Sequence, residues 1–218
     1  MRKKVTHHLL PIAHYVTSAI LCSLALLLSG CALFENGSSL SNCHTVVVDP
    51  GHGGYDHGAH AVRGQDEKML TMDTALRLKP LLQARGYHVI MTRSSDVFIP
   101  LGGRTALANA HPDALFVSIH YNCSPRHAAS GIETYYYNRS SIRLADAVFR
   151  ELIPVYGGHP RGVKQACYYV LHHNHRPAVL LELGFISNSH ENAILQDPST
   201  RQRLAEHIAA GIAKAQRR

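Results

Sequence analysis

Apolar and polar positions along this chain fall into blocks of two alternating periods. Val46-Val47-Val48 is an unbroken apolar run stopped by Asp49-Pro50 and followed by Gly51, Gly53 and Gly54. Three successive β-branched residues halted in this way predict a strand buried on both faces that opens into a tight turn. His52 is thereby placed just beyond the carboxyl end of a core strand, where open α/β sheets collect ligands. Residues 55–65 contain Gly58 and Gly64 and read as a loop. Asp66 or Glu67 then opens a helix whose Met69, Met72, Ala75, Leu76 and Leu78 sit near helical spacing. Pro80 should kink or interrupt it, and Gly86 should close any continuation through Leu82.

Further along, residues 87–92 predict a strand, 101–110 a short helix, 115–120 a buried strand and 131–137 a tyrosine-rich one. A helix comes next over 142–153, with Leu144, Ala145, Val148, Phe149 and Leu152 on one face. Residues 168–171 and 178–183 read as the last strands, and 200–216 as a closing helix that buries Leu204, Ile208, Ile212 and Ala213. Strands alternate with helices, so the class is α/β with a largely parallel sheet. The length of 218 residues allows one substantial domain, and no internal repeat is visible.

The pattern ahead of residue 44 is different. Met1-Arg2-Lys3-Lys4 is basic, no acidic residue precedes Glu35, and residues 16–28 form an apolar run. That run is shorter than the roughly 20 residues a membrane span needs. It ends in Leu28-Ser29-Gly30-Cys31, which resembles the lipobox of bacterial lipoproteins, where the cysteine is lipidated and becomes the first mature residue. A plain secretory signal or an uncleaved anchor is the alternative. The division expected is a lipoprotein-type signal peptide at 1–30, a Ser/Asn-rich tether at 31–43 and the folded domain at 44–217.

Charge and cysteine content then narrow the partners. The formal net charge is +7, but residues 1–30 hold three basic and no acidic side chains, so their removal leaves +4. A mildly basic surface suits an anionic wall or membrane, and nothing forms a nucleic-acid-binding stripe. Cys43, Cys123 and Cys167 remain after Cys22 and Cys31 are set aside, an odd number without a C-x-x-C pair. Neither a disulfide framework nor a thiolate zinc knuckle is implied.

Candidate chemistry gathers at element ends. His120 ends a strand as His52 does, with Asn122 two residues on, and Glu182 closes the apolar run Val179-Leu180-Leu181. A carboxylate there is costly unless it is paired, hydrogen-bonded or bound to a metal. Glu67 lies at a helix start beside the loop of His52. Two histidines and a carboxylate converging on one sheet edge suit zinc with a fourth position left for water, and a second carboxylate can act as general base. Blander readings exist for each: with 17 histidines in the chain, several are ordinary surface groups, and Glu67 could be a solvated helix-start carboxylate. The cluster His172-His173-x-His175 is a weaker metal candidate, and Cys123 has no activating base in its motif.

Four stretches in order carry a resemblance. Val47 to Gly54, Glu67-Lys68, Ser118-Ile119-His120-x-Asn122 and Leu181-Glu182-x-Gly184-Phe185-x-Ser187-Asn188 together resemble the zinc-dependent N-acetylmuramoyl-L-alanine amidases of bacterial cell walls. Thr92-Arg93, Pro100-Leu101-x-x-Arg104, Ala108-Asn109 and Arg161-Gly162-Val163-Lys164 match in support, so the resemblance runs from about Val46 to Gly211. It departs at His57, where such enzymes often have proline.

The resemblance implies a twisted, mixed, largely parallel sheet of about six strands flanked by helices on both faces. It implies one zinc per chain held by His52, Glu67 and His120, with Glu182 as the catalytic carboxylate. The reaction implied is hydrolysis of the amide between N-acetylmuramic acid and L-alanine in peptidoglycan, as in cell-wall remodelling and division. A zinc peptidase cutting within the stem peptide is the nearest rival, and a non-catalytic wall-binding protein the more distant one. The expected setting is export to the periplasm with anchoring through the lipid on Cys31, the outer membrane being one destination open to it. Regulated relatives carry a helical insert after the second zinc histidine. Here only eight residues, 123–130, separate Asn122 from Gly131, so no obligatory activator is expected.

Overall fold

The computed structural model describes residues 40–155, 157 and 159–217. Cys31 and the expected signal peptide lie outside the described residues, as does most of the tether. Six strands, β1 (Thr45–Pro50), β2 (His88–Met91), β3 (Ala114–Asn122), β4 (Ile132–Tyr136), β5 (Pro160–Gln165) and β6 (Ala178–Phe185), form one sheet in the order β2-β1-β3-β6-β4-β5. Every adjacent pair is parallel except β4 with β6, which is antiparallel. The helices are α1 (Glu67–Gln83), α2 (Leu101–Asn109), α3 (Ile142–Leu152), α4 (Tyr169–His172), α5 (Ser189–Leu195) and α6 (Pro198–Gln216). The fold is the mixed, mostly parallel α/β sheet that the sequence implies.

Alternation along β1 decides what covers each face. Val46 and Val48 enter the larger core with Leu70, Leu78 and Leu82 of α1, Leu144 and Val148 of α3, and Leu204 and Ile208 of α6. Val47 points the other way, into a smaller cluster with Phe116, Leu180, Ala108 of α2, and Val170 and Leu171 of α4. The second face is thinly covered because α2 and α4 are short. Gly211 lets α6 approach α3, since a Cβ there would lie 2.6 Å from the Val148 Cα.

Three sequence readings need correction. Residues 168–171 do not form a strand: Tyr168 is extended and caps the short α4, whose consecutive Val170 and Leu171 are buried. A short apolar run is compatible with either period. The sixth strand is instead β5, at the sheet edge, where a leading Pro160 costs no ladder bond. Pro80 does not interrupt α1, because the bond it cannot donate falls to Leu76 at an exposed position, where the freed carbonyl can face solvent. Met69 and Leu76 are accordingly exposed, and Leu70, Met72, Ala75, Leu78 and Leu82 make the buried face. Helix α5, which no periodicity announced, is opened by Asn188, whose side chain accepts from the His190 and Glu191 amides.

Candidate active site

The parallel strands bring His52 and His120 to one end of the sheet. His52 comes just after β1 in the left-handed region, with φ 61°. Its backbone is fixed by cations. Arg104 donates to Pro50 O at 2.8 Å and His52 O at 2.8 Å, while Arg93 donates to Pro50 O at 3.0 Å and Gly51 O at 2.7 Å. Lys68 reaches from α1 to Gly54 O at 2.7 Å. Arg93 and Arg104 come from the supporting motif pieces and Lys68 from the Glu67-Lys68 stretch, and all three hold the turn. Gly51 must lack a side chain because a Cβ there would overlap the His120 ring at 2.3–2.7 Å.

Glu67 is the first residue of α1 and is buried. Its Oε1 lies 3.1 Å from His52 Nε2 and 2.9 Å from His120 Nδ1, and it accepts the Tyr121 amide at 3.1 Å. Its Oε2 accepts the Ala59 amide at 2.8 Å, which ties the 55–65 loop to the site. Burial alone would raise the Glu67 carboxyl, but hydrogen bonds from His120 and His52 outweigh it and hold the group far below the ordinary carboxylate range. The two imidazoles stand edge-to-face with centroids 4.9 Å apart. One ligand atom from each of His52, Glu67 and His120 lies within 4.8 Å of the others.

That donor set fits a divalent transition metal. Two imidazole nitrogens and one carboxylate oxygen are the ligands zinc takes when a position stays open for chemistry. The supporting shell also fits. Asp56 Oδ1 is 2.9 Å from His52 Nδ1 and is itself held by the Gly58 amide at 3.1 Å, so Nε2 is the nitrogen left to bind. Asp56 was not singled out in the sequence, although its i+4 spacing from His52 was a usable signal.

Glu182 sits beside His120 in register on β6. Its Oε2 is buried and has no hydrogen-bond partner among the described residues. Burial, then the charges of Glu67 and Glu133, push its carboxyl well above the ordinary range. An orphaned carboxylate of this kind is poised to hold or pass a proton. His52, Glu67, His120 and Glu182 line one cleft of about 520 Å³, to which Phe98, Leu101, Tyr168 and Tyr169 also contribute.

The remaining histidine candidates stand apart. His172 packs edge-on to Tyr137, and His173 stacks on Tyr169 at 3.9 Å. Their role is aromatic packing around α4. Residues 123–131 contain no helix, and the loop is pinned in place: Ser124 N–H donates to Ser187 Oγ at 2.9 Å, and Asn188 Nδ2 to His127 O at 2.9 Å. The buried Glu191 bridges the Gly131 and Phe185 amides at 2.7 Å each, a role that the sequence did not announce.

Residues 46–214 match the N-acetylmuramoyl-L-alanine amidase family model. Over 199 residues the chain is 38% identical to the uncharacterized protein YqiI of Bacillus subtilis, covering 89% of this chain and 94% of that one. Other curated relatives are longer, and the chain spans 57% of the length of one and 34% of another. Among solved structures, the catalytic domain of CwlV, an N-acetylmuramoyl-L-alanine amidase from Bacillus (Paenibacillus) polymyxa, superposes with a TM-score of 0.76 at 37% identity. That match covers 78% of this chain and 96% of CwlV. The CwlD amidase of Clostridioides difficile, solved in complex with the GerS lipoprotein, matches with a TM-score of 0.75 at 30% identity, over 79% of this chain and 98% of CwlD.

Proposed function

This chain belongs to the N-acetylmuramoyl-L-alanine amidase family, and on that premise we propose that it is a zinc-dependent hydrolase of the bond between N-acetylmuramic acid and the L-alanine of the peptidoglycan stem. The single observation that carries the reading is the convergence of His52, Glu67 and His120 beside an unpartnered Glu182. When bound, zinc would supply a Lewis acid at the scissile carbonyl, and its charge would favour the ionised form of Glu182 against burial and the neighbouring carboxylates.

The chain's own groups do the rest. His52, Glu67 and His120 hold the metal, with Asp56 fixing the tautomer of His52. Glu182 takes the proton of the attacking water as the new C–O bond forms, then delivers it to the alanine nitrogen as the C–N bond breaks. One carboxyl serves both transfers because they are sequential, a role typically worth about 10²–10⁴ in rate. Phe98, Leu101, Tyr168 and Tyr169 give the cleft apolar and aromatic surface against which substrate can pack.

Two further readings accompany this one. The pinned, helix-free 123–131 loop supports an enzyme that works without an activator, unlike relatives regulated by an inserted helix. The Leu28-Ser29-Gly30-Cys31 sequence supports export and anchoring through a lipid on Cys31.

Purified residues 44–217 with zinc and no partner should release intact stem peptides bearing a free L-alanine amine from cell wall. Glu182→Gln should keep stoichiometric zinc and lose about 10²–10⁴ in rate, while His52→Ala should lose the metal. Products shortened within the stem would identify a peptidase instead. Zinc-loaded protein that stays silent until a second protein is added would overturn the activator-free reading.

A further inference from the structure

Glu133 and Glu182 are directly paired across β4 and β6, and His120 is paired with Glu182 from the other side. The three side chains therefore form a row on one face of the sheet, with the Cβ atoms of the antiparallel Glu133–Glu182 pair about 4.5–5.5 Å apart. The two carboxylates are treated in opposite ways. Glu133 is 3% exposed, and its Oε1 accepts from Arg161 Nε and Lys164 Nζ, each at 2.6 Å. Its Oε2 accepts from the Tyr135 hydroxyl at 2.6 Å and from Asn122 Nδ2 at 3.0 Å. Burial raises its carboxyl, but Lys164, Tyr135 and Arg161 together bring it down to about 2. Beside it, Glu182 Oε2 has no partner among the described residues.

This division is not what charge alone would choose. Two cations on a single carboxylate oxygen exceed what neutrality asks, while the buried Oε2 of Glu182, its partner across the sheet, has none among the described residues. A glutamate salt-bridged to Arg161 or Lys164 would be held ionised and would resist taking a proton. We infer that Glu133 is a positioning residue for the hydrolysis: by occupying Arg161, Lys164, Tyr135 and Asn122, it keeps these donors off Glu182 and leaves that carboxylate to water and substrate. The inference rests on the reading of Glu182 as the proton-transfer group.

Glu133→Gln preserves shape but offers the cations one neutral oxygen, so Arg161 and Lys164 should turn to Glu182. With a soluble N-acetylmuramoyl peptide as substrate, kcat should fall by at least ~10-fold, with KM and zinc content near those of the wild type. Adding Arg161→Met and Lys164→Met removes the competing cations, and kcat should then recover by ~10-fold toward the wild type. A role confined to holding β4 and β5 together predicts the reverse, since three lost contacts would slow the enzyme further. A triple variant as slow as Glu133→Gln, or slower, would overturn the inference. Should Glu133→Gln not fold, Glu133→Asp with and without Lys164→Met gives the same comparison. Glu182→Gln separates the two levels: wild-type turnover there would remove both the base and this role for Glu133. A dead Glu182→Gln with no recovery in the triple variant would remove the role of Glu133 alone.

Discussion

His52 is held at a φ of 61°, a conformation that glycine adopts freely and other residues adopt at a cost of about 1–3 kcal/mol. The turn keeps a histidine there because the imidazole has to face Glu67, and Asp56 then fixes which nitrogen does so. Asp56→Ala should leave the fold intact and weaken zinc binding by about 10–100-fold, the usual effect of removing a partner of a metal-bound histidine. Competition against a chromogenic chelator measures this directly, and an unchanged affinity would leave Asp56 without a metal-related role. The four polar residues of the candidate site were legible in the sequence because each follows an apolar run or starts a helix, where a charged group has to be explained. Glu133 and Glu191 were not, since both are hidden among tyrosines or helix-start residues and acquire meaning only from strand pairing.

At the scale of elements, the long, strongly patterned segments declared themselves and the short ones did not. Strands β1, β3 and β6 are apolar runs with clear ends, whereas β5 has no alternation and α4 is four residues long. The buried face of α1 was misjudged because Thr71 and Thr74 take core positions. Thr74 does so by pairing its hydroxyl with the buried Tyr121 hydroxyl at 2.7 Å. Between α1 and α6 the main polar link is Asp73, which accepts from Arg77 at 2.8 Å and from the buried Arg201. Burial opposes ionisation of Asp73, but the two arginines prevail and hold its carboxyl below the ordinary range. A group depressed in the folded state contributes stability above its unfolded pKa, near 3.9, and loses it as pH falls through the folded value. Asp73→Asn should therefore lower stability by about 1–2 kcal/mol at neutral pH. The gap from the wild type should close below pH ~4, as read from melting temperatures across a pH series. A gap that persists unchanged at pH ~3 would mean that the loss is one of packing.

For the molecule as a whole, the α/β class and the site were readable because the motifs fall at strand ends that a parallel sheet gathers on one side. Less visible in the sequence was how unevenly the two faces are covered, which depends on helix lengths set by tertiary packing. The proposed attachment to a membrane rests on Cys31. Labelled palmitate should enter the full-length protein and be absent from Cys31→Ser, whereas equal labelling would refute the lipobox. More than one acyl chain is needed for stable anchoring.

The guanidinium grip on the His52 turn has a thermodynamic corollary. Carbonyls of three successive residues, Pro50, Gly51 and His52, accept from Arg93 and Arg104. Those bonds couple the ordering of the turn to formation of the sheet and of α2. Small zinc modules behave differently, since their coordination energy doubles as folding energy and the chain collapses without it. On the proposed reading, a metal would meet a turn that two guanidinium groups already tie down. The affinity of the proposed zinc would then carry little folding energy, and its effect on melting would obey mass action, growing with the logarithm of free metal above the dissociation constant.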